Sequence, residues 1–577
     1  MTKPGPEVTG QTPADDVVLS VENLSLDFKL RTEVLHAARN ISFKLRRGKT
    51  LCLVGESGSG KSVTARALMR IIDSNGVIAN GRILLDDARG AIDIAQLDER
   101  SKALLSIRGG RIGLIFQEPM SSLSPVHTIG SQIIEALRLH RKMNKAEARA
   151  ETIELLRQVE IPNPDKMIDR YAFEFSGGMR QRAMIAMALA ANPEILIADE
   201  PTTALDVTTQ AEILDLVKRL QVSRGMAMLL ITHDMGIVAE VADEVAVMHY
   251  GQIVEFGSVD DIFHDPKHNY TQRLLNATVK LEQNRRSVQR DVVVPEASKV
   301  ILSARNLSKV YGASTAWFGG NSYAIKAVDD VSFDLHAGEN LGIVGESGSG
   351  KTTVGRMLLR IIEPTSGTVT FDGENGPLDV TSLSKRELRD FHRQVRLVFQ
   401  DPFASLNPRM TVRDIVGDPL KVTRHMSGKA LDERVCELLT LVGLDPSTRE
   451  RYPHAFSGGQ RQRIGIARSL ALDPKVIIAD EATAALDVSI RSQVLDLLLD
   501  IQKRLGLSFV FISHDISVVR YFCDRVGVMH RGKLVEIGPT EAICTTPQQA
   551  YTQSLISAVP NPDPRNKRML HRTRFKD

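Results

Sequence analysis

A chain of 577 residues is too long for one hydrophobic core, so at least two domains are expected. With 42% hydrophobic and 25% charged residues it reads as an ordinary globular protein. Its 73 Lys and Arg against 70 Asp and Glu leave a formal charge of +3, which argues against a nucleic-acid partner. No apolar run approaches the roughly 18–20 residues that span a bilayer, so any membrane role should run through partner chains. Residues 1–15 are polar, carry no apolar signal core and are expected to be disordered, which keeps the protein in the cytosol. Cys52, Cys436, Cys523 and Cys544 are too scattered for a disulfide framework or a zinc or iron–sulfur site, and read as reduced thiols.

In chain order, Asn23-Leu-Ser-Leu-Asp-Phe28 is followed by Thr50-Leu-Cys-Leu-Val54, a short apolar run that reads as a buried parallel strand. It leads into Gly55, Glu56, Ser57, Gly58, Ser59, Gly60, Lys61 and Ser62, and then a helical stretch over 63–72. Glycines there let backbone N–H groups wrap phosphates, and the helix N-terminus adds favourable partial charge. Lys61 should reach the β/γ-phosphates and Ser62 should ligate Mg²⁺. Farther on stand Phe116-Gln117, then Phe175-Ser-Gly-Gly-Met-Arg-Gln-Arg182, then an apolar run at 195–198 that ends in Asp199 and Glu200. Asp199 should hold Mg²⁺, directly or through water. Glu200 is the candidate base that orients and polarises an attacking water. Taken singly, an acidic pair at a strand end, a Ser-Gly-Gly helix start or a lone His233 after strand 228–232 is an ordinary structural feature. Their spacing gives them weight.

The polar stretch 281–290 reads as a short linker. It separates a first domain at about 16–280, with a tail at about 257–280, from a second at about 298–577, with a tail at about 538–577; the linker covers 281–297. The second domain repeats the first. Asn306 to Tyr311 answers Asn23 to Phe28, and Gly345, Glu346, Ser347, Gly348, Ser349, Gly350, Lys351 and Thr352 follow the apolar run at 341–344. Phe399-Gln400, Phe456-Ser457-Gly458-Gly459-Gln460, Asp480-Glu481 and His514 follow in the same order. Ser176 to Glu200 is 24 positions, as is Ser457 to Glu481, and Glu200 to His233 is 33, as is Glu481 to His514. Extra residues around 314–322 belong in a surface loop. A period of half the chain means two whole domains rather than a solenoid.

On these motifs both halves resemble the nucleotide-binding domains of ABC ATPases, whose signature is the Ser-Gly-Gly element. The resemblance implies an α/β fold of two tandem P-loop domains. Each would have a RecA-like α/β core, an antiparallel β subdomain and a helical signature subdomain. The two would pair head to tail within the chain around ATP and Mg²⁺. Ser176, Gly177 and Gly178, and Ser457, Gly458, Gly459 and Gln460, would then offer a hydroxyl, N–H groups and a helix dipole to the γ-phosphate held by the other half. Gln117 and Gln400 match the Q-loop, which senses Mg²⁺ and water. His233 and His514 match the switch histidine, and Asp206 and Asp487 the D-loop. Phe28 and Tyr311 stand where an aromatic stacks on adenine, with core packing as the rival reading. Site one would combine Lys61, Gln117, Glu200 and His233 with Ser457; site two, Lys351, Gln400, Glu481 and His514 with Ser176. Phe175 and Met179 replace the more usual Leu and Gln.

Within that family the detail resembles the peptide/nickel importers. Gln117-Glu-Pro-Met-Ser-Ser-Leu-Ser-Pro125, Gln400-Asp-Pro-Phe-Ala-Ser-Leu-Asn-Pro408, Tyr270-Thr-Gln-Arg-Leu-Leu275 and Tyr551-Thr-Gln-Ser-Leu-Ile556 carry the likeness. Asn269 and Ala550 depart from a frequent Pro. The resemblance implies a peripheral ATPase on the cytoplasmic face of a bacterial inner membrane. Its partners would be two permeases, gripped through coupling helices near 118–175 and 401–456, and indirectly a periplasmic binding protein. Peptides are the first expectation for cargo, with oligosaccharides, opine-like compounds or nickel open. Some members hold an iron–sulfur cluster through tail cysteines; with Cys544 alone before Tyr551, none is expected. The competing class, a soluble translation or repair ATPase, usually carries a long charged linker, a coiled coil or zinc modules, and the sequence has none. The basic end at 565–576 reads as a disordered, solvated tail, with a contact to anionic lipid as the rival reading.

Overall fold

The computed structural model describes residues 16–88, 90–118, 122–203, 205–282, 299–312, 324–374, 376–399, 401, 405–484 and 486–575. The expectations for residues 1–15, for most of the 281–297 linker, for the 314–322 insertion and for Gln400 lie outside those residues. The chain divides into two compact units. One gathers Met1–Leu205, Glu212–Gln272 and Asn561–Lys567, and the other Asp206–Ala211, Arg273–Pro560 and Arg568–Asp577.

The first unit contains, in chain order, β1 (Val17–Lys29), β2 (Val34–Arg46), β3 (Thr50–Val54), β4 (Gly76–Leu85), β5 (Ile92–Asp93), β6 (Ile112–Ile115), β7 (Ile195–Asp199), β8 (Ala227–Thr232), β9 (Glu244–His249) and β10 (Gln252–Ser258). They form an antiparallel sheet of order β2-β1-β4-β5 and a six-stranded sheet of order β10-β9-β3-β8-β7-β6. In the larger sheet only β10 runs antiparallel to its neighbour. Every residue of β3 and β7 is buried, as central parallel strands covered on both faces require. Leu24, Leu26 and Ile41 of the small sheet share one core with Leu53, Ile197 and Ile231 of the large one. Helices Ile129–His140, Lys145–Gln158 and Gly177–Leu189 pack on one another as a separate helical layer.

The second unit repeats the plan with β11 (Val300–Tyr311), β12 (Ile325–His336), β13 (Asn340–Val344), β14 (Ser366–Gly373), β15 (Gly376–Asp379), β16 (Val395–Val398), β17 (Val476–Asp480), β18 (Ser508–Ile512), β19 (Arg525–His530) and β20 (Lys533–Pro539). The orders are β12-β11-β14-β15 and β16-β17-β18-β13-β19-β20. The expected α/β fold with its antiparallel and helical additions is present in both units.

Two local expectations change. The helix after each phosphate loop is Lys61–Leu68 or Lys351–Leu358, starting earlier and ending earlier than the apolar pattern suggests. Each ends because Arg70 or Arg360 turns into the left-handed region (φ 54° and 50°), and the next residue's N–H bonds back to the carbonyl of Arg66 or Arg356. The basic C-terminus is also not a loose solvated end through residue 575. Arg565 makes a two-pronged ion pair with Asp260 (2.7 and 2.6 Å). Met569 is fully buried, and the Ser554 hydroxyl donates to the Thr573 carbonyl (2.9 Å) while the Phe575 N–H donates to the Ser554 hydroxyl (3.1 Å).

Candidate nucleotide site

β3 delivers the first phosphate loop between β8 and β9, at the carboxyl edge of the parallel sheet, where ligands of open α/β sheets bind. Three of its glycines sit at positive φ, with Gly55 at 151°, Gly58 at 80° and Gly60 at 99°. At Gly55 a Cβ would stand 2.2 Å from the Met248 carbonyl oxygen, so no side chain is tolerated. Lys61 is buried, and its ammonium donates to the carbonyls of Gly55 (2.8 Å) and Glu56 (2.9 Å). The Ser62 hydroxyl donates to Asp199 Oδ1 at 2.8 Å. Burial pushes the Asp199 carboxyl above its ordinary value, against the Ser62 bond, so this corner favours a cation.

Glu200 follows Asp199 with φ at 46°, a strained backbone for a non-glycine residue. Three side chains converge on its carboxylate. Gln117 Nε2 donates at 3.0 Å, the Thr203 hydroxyl donates at 2.8 Å, and His233 Nδ1 lies 3.1 Å from the other oxygen. Burial pushes Glu200 up, but the bond and charge of His233, with Thr203, outweigh it and leave the carboxyl at about 2. Over these groups opens a cavity of about 510 Å³, lined by His36, Lys61, Ser62, Gln117, Glu200 and Tyr250 among others.

The second unit matches atom for atom in most respects. Lys351 donates to Gly345 O (2.8 Å) and Glu346 O (2.7 Å), and the Thr352 hydroxyl to Asp480 (3.1 Å). His514 Nδ1 lies 3.1 Å from Glu481, whose φ is 47°. Burial raises the Asp480 carboxyl, and Glu481 is held below its ordinary value because His514 and Lys351 outweigh burial. One difference stands out: Ala484 occupies the position of Thr203, so Glu481 lacks that hydroxyl.

The other expected residues make contacts of their own, and Asp206 Oδ2 accepts the Ser347 N–H of the second phosphate loop at 3.4 Å. Ser176 and Ser457 cap the helices Gly177–Leu189 and Gly458–Leu470, accepting from the N–H groups of Met179 (3.3 Å) and Gln460 (3.4 Å). Gln460 returns a bond to the Ser457 N–H at 3.0 Å, which Met179 cannot do. Asp206 Oδ1 accepts from Thr209 N–H (3.0 Å) at the start of helix Val207–Arg224, and Asp487 precedes helix Val488–Leu505. Phe28 does not line the cavity; its ring lies against Gly76, where a Cβ would come within 2.6 Å of it. Tyr311 is 41% exposed under the Lys309 ammonium. Sequence reasoning missed Thr203 and Tyr250. Tyr250 sits at φ 45° in the β9–β10 turn, 80% exposed at the cavity, and only its place before Gly251 hinted at a turn.

A glycine-wrapped loop with a buried lysine, a hydroxyl–aspartate pair and a glutamate beside a histidine defines a P-loop nucleotide hydrolase. The family described as ABC transporter matches residues 38–203 and 328–484, and that described as oligopeptide/dipeptide transporter, C-terminal region, matches 254–299 and 535–575. Over 574 residues the chain is 48% identical to the glutathione import ATP-binding protein GsiA of Escherichia coli O157:H7, covering 96% of this chain and 91% of that protein. The protein of the same name from Salmonella choleraesuis (strain SC-B67) is 48% identical over 573 residues, and that of Escherichia coli (strain K12) 47% over 574, with the same two shares. Among solved structures, the dimeric post-hydrolysis ATP-binding cassette MJ0796 with ADP and Pi matches 42% of this chain and 99% of its own, at 30% identity and a TM-score of 0.37. The chain belongs to the ATP-binding proteins of ABC transporters, and carries two ABC domains and two oligopeptide/dipeptide-type C-terminal regions. It binds ATP and couples hydrolysis to transport. Membership of this family implies membrane permeases as its partners; among the described residues no helix is long and apolar enough to cross a membrane.

Proposed function

We propose that the chain energises a binding-protein-dependent importer of peptides, with glutathione as the first cargo to test. The reading rests on one observation, the recurrence in both units of a parked lysine, a hydroxyl–aspartate pair and a glutamate–histidine pair. The relatives named for glutathione import support a peptide over oligosaccharides, opine-like compounds or nickel. On this reading the domains would span about 16–280 and 298–577, joined by 281–297. Their pairing is head to tail, Ser457 completing the site of Lys61 and Ser176 that of Lys351. Two permeases engage the regions near 118–175 and 401–456, and a periplasmic binding protein delivers solute to them. The chain then sits peripherally on the cytoplasmic face of the inner membrane, with no nucleic acid involved.

The donor set fits magnesium. Ser62, Gln117 and Asp199 would hold it in one half and Thr352, Gln400 and Asp480 in the other, and it would supply positive charge beside the β- and γ-phosphates. The buried carboxylates, raised by desolvation, favour such a cation. Glu200 and Glu481 orient the water, and His233 and His514 hold those carboxylates and reach toward the γ-phosphate. The test is uptake of labelled glutathione into proteoliposomes holding this chain, its permeases and the binding protein. ATP-dependent uptake that Lys61→Ala/Lys351→Ala abolishes supports the reading. ATP turnover indifferent to the permeases would favour a soluble ATPase instead.

A further inference from the structure

Each C-terminal region sends a buried tyrosine back to a phosphate loop. In the first unit Tyr270, 3% exposed, stacks its ring on His249 with centroids 3.9 Å apart, and its hydroxyl accepts the Glu56 N–H at 2.9 Å. In the second unit Tyr551, 5% exposed, stacks on His530 at 4.0 Å, and its hydroxyl accepts the Glu346 N–H at 3.3 Å. The same arrangement thus appears twice, between segments 214 and 205 positions apart.

The accepted N–H belongs to the peptide joining Gly55 to Glu56. The carbonyl of that same peptide receives the Lys61 ammonium at 2.8 Å. One peptide plane is therefore gripped at both ends, by a tyrosine hydroxyl and by the phosphate-binding lysine. Gly55 cannot orient the plane by side-chain packing, because any Cβ would strike the Met248 carbonyl. The β9–β10 turn that follows His249 adds a second hold, since the Gly251 N–H donates to the Ser59 carbonyl at 3.0 Å. In the second unit the Lys351 ammonium meets the Gly345 carbonyl at 2.8 Å, and Gly532 N–H meets the Ser349 carbonyl at 3.0 Å.

We propose that Tyr270 and Tyr551 are positioning residues of the phosphate loops, so that the seating of each C-terminal region sets the affinity of its loop for ATP. The proposal rests on the reading of these loops as the nucleotide site. Loss of the hydroxyl leaves a loop N–H without that partner and frees the peptide to rotate, and the lysine's resting carbonyl rotates with it.

The experiment compares the full chain with its Tyr270→Phe/Tyr551→Phe variant, which keeps both rings and removes both hydroxyls. The expected result is a rise of roughly threefold to tenfold in KM for ATP and in the Kd for a fluorescent ATP analogue, with kcat held within about twofold. An unchanged KM overturns the proposal, as does a lowered thermal midpoint with KM unaltered, which is what mere packing gives. If the double variant is poorly folded, each single variant is read for the same KM-against-kcat split. Lys61→Ala/Lys351→Ala serves as control: if it still binds the analogue, the loop reading itself fails, independently of the tyrosines.

Discussion

Glu200 shows how much can be asked of one residue. Its backbone is held in the left-handed region and its carboxylate at about 2 by His233 and Thr203 against the pull of burial. It is therefore ionised at every physiological pH, a weak proton acceptor but a strong, fixed hydrogen-bond acceptor for water. Glu200→Gln/Glu481→Gln should leave ATP binding intact and cut turnover by about 10² to 10⁴, measured as phosphate release beside an equilibrium binding titration. Gly55→Ala has a different signature. Its Cβ would meet the Met248 carbonyl at 2.2 Å, and φ is 151°, so the loop must move. The expected outcome is lost nucleotide binding in the first unit, seen as a halved stoichiometry in the same titration.

At the scale of the element, the signature helix Gly177–Leu189 is anchored through Arg182, whose side chain is 10% exposed. Its guanidinium donates to the Val159 carbonyl (3.1 Å), to Glu160 (2.9 Å) and to Glu212 (2.8 Å). Arg182→Ala should destabilise the first unit by about 1–3 kcal/mol, by chemical denaturation at pH 7. Burial pushes Glu160 up, but Arg219 and Arg182 outweigh it and hold the carboxyl below its ordinary value. A depressed carboxylate contributes stability above its unfolded value, and that contribution fades as pH falls through the folded one. The gap between wild type and Arg182→Ala should therefore narrow as the pH is lowered below about 4. At the same helix start, Met179→Gln should restore the return bond that Gln460 makes in the second unit. A gain of roughly 0.5–1 kcal/mol in the same assay is the expected outcome.

For the whole molecule, the decisive question is whether two sites work as two or as one. The proposed composite sites predict that Lys61→Ala or Lys351→Ala alone removes well over half of the steady-state ATPase activity. Retention of about half in each, with their sum near wild type, would mean independent units. Much of this protein was legible in its sequence, because the decisive pieces are local. A buried strand, a glycine loop and a helix are written in consecutive residues, and their duplication at fixed spacing announces two domains of one kind. Lys61, Ser62, Asp199, Glu200 and His233 could be named from that alone, since nucleotide chemistry dictates residue types at set positions along the strands. Folding was needed to gather what lies far apart in the chain. It turns Phe28 toward Gly76 while Tyr250 faces the cavity, pins Arg565 to Asp260, and sets Tyr270 against a loop 214 positions away. Such contacts have no sequence period or motif. They arise where closely packed strands and helices happen to bring two side chains within hydrogen-bonding reach, and only the tertiary structure decides which pairs those are.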